Sequence, residues 1–212
     1  MSPITEQAGS AIHPGDNVLV TCPSFMGDEH QTCLELLTPA SPENVYALSI
    51  LFTQSPSDHL DSWQRLVGAY PARSRIVSVD ADAKSSAGIP EVTTESRDGE
   101  QAVQRVNSPR NLTQLGVRIT DSLDEWMETE PDTQVAVCFQ SISTLLQYVD
   151  VEQAFKFLNV ITARCSAADA VAHYHLDPHA HDEQTTVKLE QLFDAVVEYD
   201  EDSWTIRRTD DR

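Results

Sequence analysis

The sequence predicts an α/β fold: a mostly parallel sheet covered by helices on both faces, ending in an antiparallel C-terminal hairpin. Three observations predict it. Short, nearly continuous apolar runs recur along the 212 residues. Segments with apolar residues at helical spacing separate most of them. The last two runs flank the tight acidic turn Asp200-Glu201-Asp202.

Taken in order, Asn17 to Cys22 (NVLVTC) is a buried strand, because strands covered on both faces are apolar throughout instead of alternating. Asp28 to Leu37 is a short helix, with Cys33, Leu34 and Leu37 on one side. Val45 to Phe52 is the second strand. From His59 to Tyr70, Leu60, Trp63, Leu66 and Val67 make the stripe of an amphipathic helix. Arg75 to Val79 is the third strand. Asp80 to Glu100, rich in Ser, Asp, Gly and Thr, is a loop with room for a short edge element. Order returns at Ser108, and Asn111 with Gln114 caps a helix running towards Trp126 and Met127. Gln134 to Phe139 is a central strand and Ser141 to Tyr148 a short helix. Asp150 and Gln153 form a capping box opening a helix from Val151 to about Arg164. Asp169 to His175 is a strand, Asp182 to Phe193 a helix, and Ala195 to Glu198 with Ser203 to Arg207 the hairpin. Alternation of strand and helix implies right-handed crossovers. Residues 1–14 read as a flexible N-terminal tail and 15–209 as a single domain.

The charge balance narrows the setting. Acidic residues number 34 against 14 basic ones, a formal net charge of −20, and only Lys84, Lys156 and Lys188 are lysines. Such charge repels itself in dilute buffer. In molar salt the Debye length falls to about 3 Å and the repulsion is screened. The composition therefore points to the cytoplasm of a halophile. It argues against a nucleic-acid partner, which needs a basic stripe. No D-x-[DN]-x-[DN]-G loop marks a calcium sensor, and no apolar run has the length of a membrane span. Met1 to His13 lacks the basic flank and apolar stretch of a secretory signal.

Two segments carry the chemistry. After the first strand comes Cys22-Pro23-Ser24-Phe25-Met26-Gly27-Asp28-Glu29. The central strand ends in Val137-Cys138-Phe139-Gln140-Ser141. In layout, and in the position of these segments, about Asp16 to Arg208 resembles the RecA/KaiC branch of P-loop ATPases. That resemblance implies a three-layer sandwich in which the first loop holds phosphate through backbone N–H groups and a lysine, and a hydroxyl holds magnesium. Here Cys22 to Glu29 stands as a degenerate phosphate loop, with Cys22 at the position of the first glycine and Pro23 next to it. Gly27 is kept, Asp28 occupies the lysine position and Glu29 the hydroxyl position. Gln140 occupies the position of the magnesium-binding aspartate of the Walker B strand. Two carboxylates facing a triphosphate repel it, and at a helix start they supply the anion that the dipole favours. The catalytic glutamate has no clear counterpart. In this the chain resembles haloarchaeal KaiC-like proteins with degenerate Walker motifs.

Other constellations are weaker. His173, His175, His179 and His181 crowd together with Asp177 and Asp182, a set able to bind zinc or nickel. Their spacing matches no zinc pattern. Asp177-Pro178 reads instead as a turn and His181-Asp182 as a helix cap, and on that reading Zn²⁺ leaves the melting temperature unchanged. Cys22, Cys33, Cys138 and Cys165 show no C-x-x-C spacing. Cys33 and Cys138 lie in apolar runs, where free cysteine acts as a small hydrophobe. Asp28 and Glu29 would raise the pKa of a nucleophilic Cys22, and no G-x-S-x-G elbow occurs. These readings give a non-catalytic, pseudo-ATPase-like regulatory or scaffold protein with no cofactor, no bound metal and no membrane contact. It would act on an unidentified protein partner, with a homo-oligomer left open by the resemblance. The alternatives are a nucleotide or ligand sensor without turnover, and a metal-dependent enzyme using His173 to His181.

Overall fold

A computed structural model describes residues 11–23, 33, 34, 36, 41–80, 101–129, 133–200 and 203–209, and the statements below concern these. Eight strands form one sheet: β1 (Asn17–Thr21), β2 (Val45–Leu51), β3 (Arg73–Val79), β4 (Gln101–Val106), β5 (Gln134–Phe139), β6 (Val171–Leu176), β7 (Ala195–Asp200) and β8 (Ser203–Arg208). Five α-helices accompany them: α1 (Pro56–Leu66), α2 (Leu112–Thr129), α3 (Ile142–Leu145), α4 (Val151–Ala167) and α5 (Glu183–Glu190). The spatial order is β4-β3-β2-β5-β6-β1-β7-β8. All neighbours are parallel except β7 and β8, the expected antiparallel hairpin. Every residue of β1, β2 and β6 is buried, as strands covered on both faces require.

The two faces are covered differently. On one face Leu48, Ile50, Val137, Phe139 and Tyr174 meet Leu115, Ile119, Leu123 and Trp126 of α2 and Leu158 and Ile161 of α4 in one continuous core. On the other, Val45, Ala47, Ala136 and Cys138 pack against Trp63 of α1 and Leu34. Val18, Val20, Ala195 and Val197 pack there with Leu36.

Helix starts follow the sequence signals. Asn111 accepts the Gln114 N–H at 3.1 Å. Asp150 and Gln153 make the full reciprocal capping box, and Asp182 caps α5 by accepting the Thr185 N–H. Ser55 caps α1, with Pro56 at its first turn.

Three expectations change in detail. Gln101–Val106 is a parallel edge strand, beyond the stretch where an edge element had room. Its half-polar QAVQRV lacks the apolar continuity of the inner strands. In α1 the inward face is His59, Ser62 and Trp63, and Leu66 is exposed. The stripe shifts because His59 finds polar partners on the sheet, described below. α5 ends at Glu190, three residues before the expected Phe193. Of the helix expected over Asp28 to Leu37, only Cys33, Leu34 and Leu36 are described, and both leucines are buried. Residues 11–14, the end of the expected tail, are tied down: the Arg208 guanidinium donates to the Ala11 carbonyl and pairs with Asp16 at 2.7 Å. Among the described residues no helix is long and apolar enough to cross a membrane.

Candidate functional site

Strand order fixes where a site can form. Steps from β1 through β2 and β3 to β4 run towards one edge, and steps from β5 through β6 to β7 run towards the other. The chain therefore diverges between the adjacent strands β2 and β5, and the crevice beyond their C-terminal ends is where open α/β sheets bind ligands. A cavity of about 270 Å³ lies there, bounded by Thr53, Gln54, His59, Gln140, Ser141 and Thr144 among others.

Gln140 organises its floor. Its backbone N–H donates to the Ile50 carbonyl at 3.0 Å. Its side-chain oxygen accepts from the N–H groups of Phe52 at 3.1 Å and Thr53 at 3.4 Å. The Gln140 amide then donates to Gln54 Oε1 at 3.4 Å, which also contacts His59 Nδ1 at 3.3 Å. The indole N–H of Trp63 can only donate, so His59 Nε2 accepts from it at 3.3 Å. Ser49 Oγ lies 2.9 Å from the same nitrogen. That leaves His59 Nδ1 to carry the proton given to Gln54. A connected polar chain thus runs from the end of β2 through Gln140 and Gln54 to a buried histidine on α1. The sequence marked Gln140 but gave no sign of Gln54 or His59, which the apolar stripe assigned to the wrong side of the helix.

Cys22 and Pro23 follow β1, and the Cys22 N–H donates to the Leu176 carbonyl at 3.3 Å. Cys22 is buried beside the cavity. Gly27, Asp28 and Glu29 lie outside the described residues, so the degenerate phosphate loop is placed only by Cys22 and Pro23.

The histidines divide into three environments instead of one cluster. His179 is exposed on the turn after β6, where Asp177 accepts its backbone N–H. His181 Nε2 contacts Ser143 Oγ at 2.9 Å. Burial lowers its pKa, against the opposing pull of Asp177 and Asp182. His173 and His175 point to the α1 face of β6 with ring centroids 5.1 Å apart, and both are buried. There they meet Cys33 and Cys138: one ligating atom from each of the four lies within 4.8 Å of all the others. Cys33 Sγ is 3.1 Å from Cys138 Sγ and 3.3 Å from His173 Nε2. The hydrogen bond with Cys138 lowers the Cys33 pKa well below its ordinary value despite burial, and His173 adds to the effect. Burial pushes the His173 pKa down in turn. These four residues come from three separate parts of the chain, so no spacing rule could have joined them; only the alternation in His173-Tyr174-His175 was visible.

A solved structure from Pyrococcus horikoshii OT3 shares the fold, at a TM-score of 0.57 and 11% identity over 96% of this chain and 91% of that one. This likeness is one of fold alone. No curated protein matches the sequence. A family model does match residues 15–199, and on that match the chain belongs to DUF7504, a family of unknown function.

Proposed function

We propose that this chain is a non-catalytic, RecA/KaiC-like regulatory protein of a salt-adapted organism. It reads the occupancy of the cavity beyond β2 and β5 and transmits that state to a protein partner without turning a ligand over. The observation that carries the reading is the engagement of Gln140. At the position where the resemblance places a magnesium-binding carboxylate stands a neutral amide, already bonded to two backbone N–H groups and to Gln54. Mg²⁺ takes hard, usually charged oxygen ligands in near-octahedral geometry. A committed amide offers it little, and phosphoryl transfer depends on such electrostatic positioning. The sequence at Asp28 and Glu29 adds two negative charges where phosphate would need positive ones. A polar-floored cavity at the switch point favours a small ligand as the signal, and so the sensing form of the reading over a pure scaffold.

Phosphate release tests it. In molar KCl with Mg²⁺ and ATP, the protein is expected to show no turnover above background. Hydrolysis by the unmodified chain that disappears in Asp28→Ala or Glu29→Ala would refute the reading.

A further inference from the structure

We propose that Cys33, Cys138, His173 and His175 form a four-ligand site for a zinc-class divalent cation, which fastens the segment carrying Cys33 to the sheet. The inference is independent of the regulatory reading. Zinc in closed structural sites takes Cys and His ligands tetrahedrally, at about 2.3 Å from sulfur and 2.0–2.1 Å from nitrogen. Those bond lengths put ligand atoms roughly 3.3–3.8 Å apart. Two contacts here, 3.1 Å between the sulfurs and 3.3 Å from Cys33 Sγ to His173 Nε2, are at or somewhat below the short end of that range, and no pair exceeds 4.8 Å. Small side-chain rotations close the rest.

Three further observations agree. The backbone already holds part of the ligand set: Cys138 and His173 are direct partners in the β5–β6 register, and His175 follows two residues on, on the same face. His173 is completely buried, yet among the described residues its Nδ1 has no hydrogen-bond partner. A histidine retained only for packing would leave that polar atom desolvated without compensation. Finally, the site suits burial. On binding, two thiols release their protons to water, and two thiolates with two neutral imidazoles bring a divalent cation to net zero charge. Such a centre needs no counter-ion in an apolar layer. With four protein ligands it has no open position, so its role is to hold structure. Cys33, Cys138 and His175 also border the cavity. On this proposal the metal fixes one wall of the ligand space, and zinc stabilises the protein where the sequence expectation has it leave the melting temperature unchanged.

The test is cobalt substitution of the full chain, reduced and kept anaerobic in molar KCl. One Co²⁺ per chain is expected to bind, with the visible bands of a tetrahedral site and a near-ultraviolet sulfur-to-cobalt charge-transfer band. Stoichiometric Zn²⁺ should bleach both, and Zn²⁺ should raise the melting temperature by mass action. Cys138→Ser should reduce the charge-transfer band to about half, since two thiolates supply it, while Cys165→Ser leaves it unchanged. A folded wild-type protein with no tetrahedral cobalt spectrum overturns the proposal. So does a spectrum insensitive to both Cys33→Ser and Cys138→Ser.

Discussion

The two faces of the sheet are built from alternate residues of the same strands, yet they differ in kind. Under α2 and α4 the contact layer is almost wholly apolar and dominated by large rings. Phe139 lies 5.3 Å from Phe52, 5.9 Å from Tyr174 and 6.4 Å from Phe157 between centroids, and Tyr46 meets Trp126 edge-on. Under α1 the strands present Ser49, Cys138, His173 and His175, all buried, to His59, Ser62 and Cys33. The small residues Ala47 and Ala136 leave room there for Trp63. Packing density and ring area stabilise the first face. The second accepts polar groups that a core would avoid, and each must be satisfied by a specific partner. Stability and chemistry are thus divided between the odd and even positions of one strand: Phe139 serves the core, and Cys138 beside it serves the site.

The sharpest way to break this comparison is to truncate one residue from each face. Phe139→Ala removes a fully buried ring and leaves a cavity among other rings, at an expected cost of about 3–5 kcal/mol. Ser49→Ala removes one contact to His59 Nε2, which still accepts from Trp63, so its cost should be near 1 kcal/mol. Denaturant unfolding in molar KCl measures both. Equal losses would mean that the α1 face bears as much of the fold as the core face does.

A smaller effect belongs to neither face. At the N-terminal end of β1, burial would raise the Asp16 pKa, but the Arg208 guanidinium and the His13 N–H outweigh it and hold the carboxyl below its ordinary 3.8. A depressed carboxylate pKa stabilises the fold above the unfolded value, and that contribution is lost as pH falls through the folded one. The Asp16 contribution should therefore be fully present well above pH 3.8 and fade below it. Asp16→Asn should cost under about 1 kcal/mol at neutral pH, because solvent screens much of the pair, and should flatten this part of the acid limb. An unchanged acid limb would show that the tie between β1 and β8 carries no stability.

How far the sequence revealed each part follows from the same division. Inner strands were legible because burial on both faces forces continuous apolar runs, as in VYALSIL and QVAVCF. Helix starts were legible because Asn111, Asp150 and Asp182 announce their caps locally. The edge strand β4 was not, since QAVQRV lies at one side of the sheet and tolerates polar residues. The site was legible at Gln140 and in the alternation of His173 and His175. His59 looked like the polar margin of an amphipathic helix, and its inward position depends on Ser49, ten residues away on another element. Cys33 and Cys138 looked like small hydrophobes because each is judged in a local window, while their meeting across 105 residues is a property of the strand order.

The claim on which the functional reading stands is that Gln140 ties the ends of β2 and β5 together and holds no magnesium. The direct measurement is the melting temperature in molar KCl with and without Mg²⁺·ATP, for the unmodified chain and for Gln140→Ala. The account predicts that Mg²⁺·ATP leaves the melting temperature of the unmodified protein unchanged, while Gln140→Ala lowers it with or without nucleotide by releasing the Phe52 and Thr53 N–H groups. A rise with Mg²⁺·ATP in the unmodified protein that is absent in Gln140→Ala would contradict it.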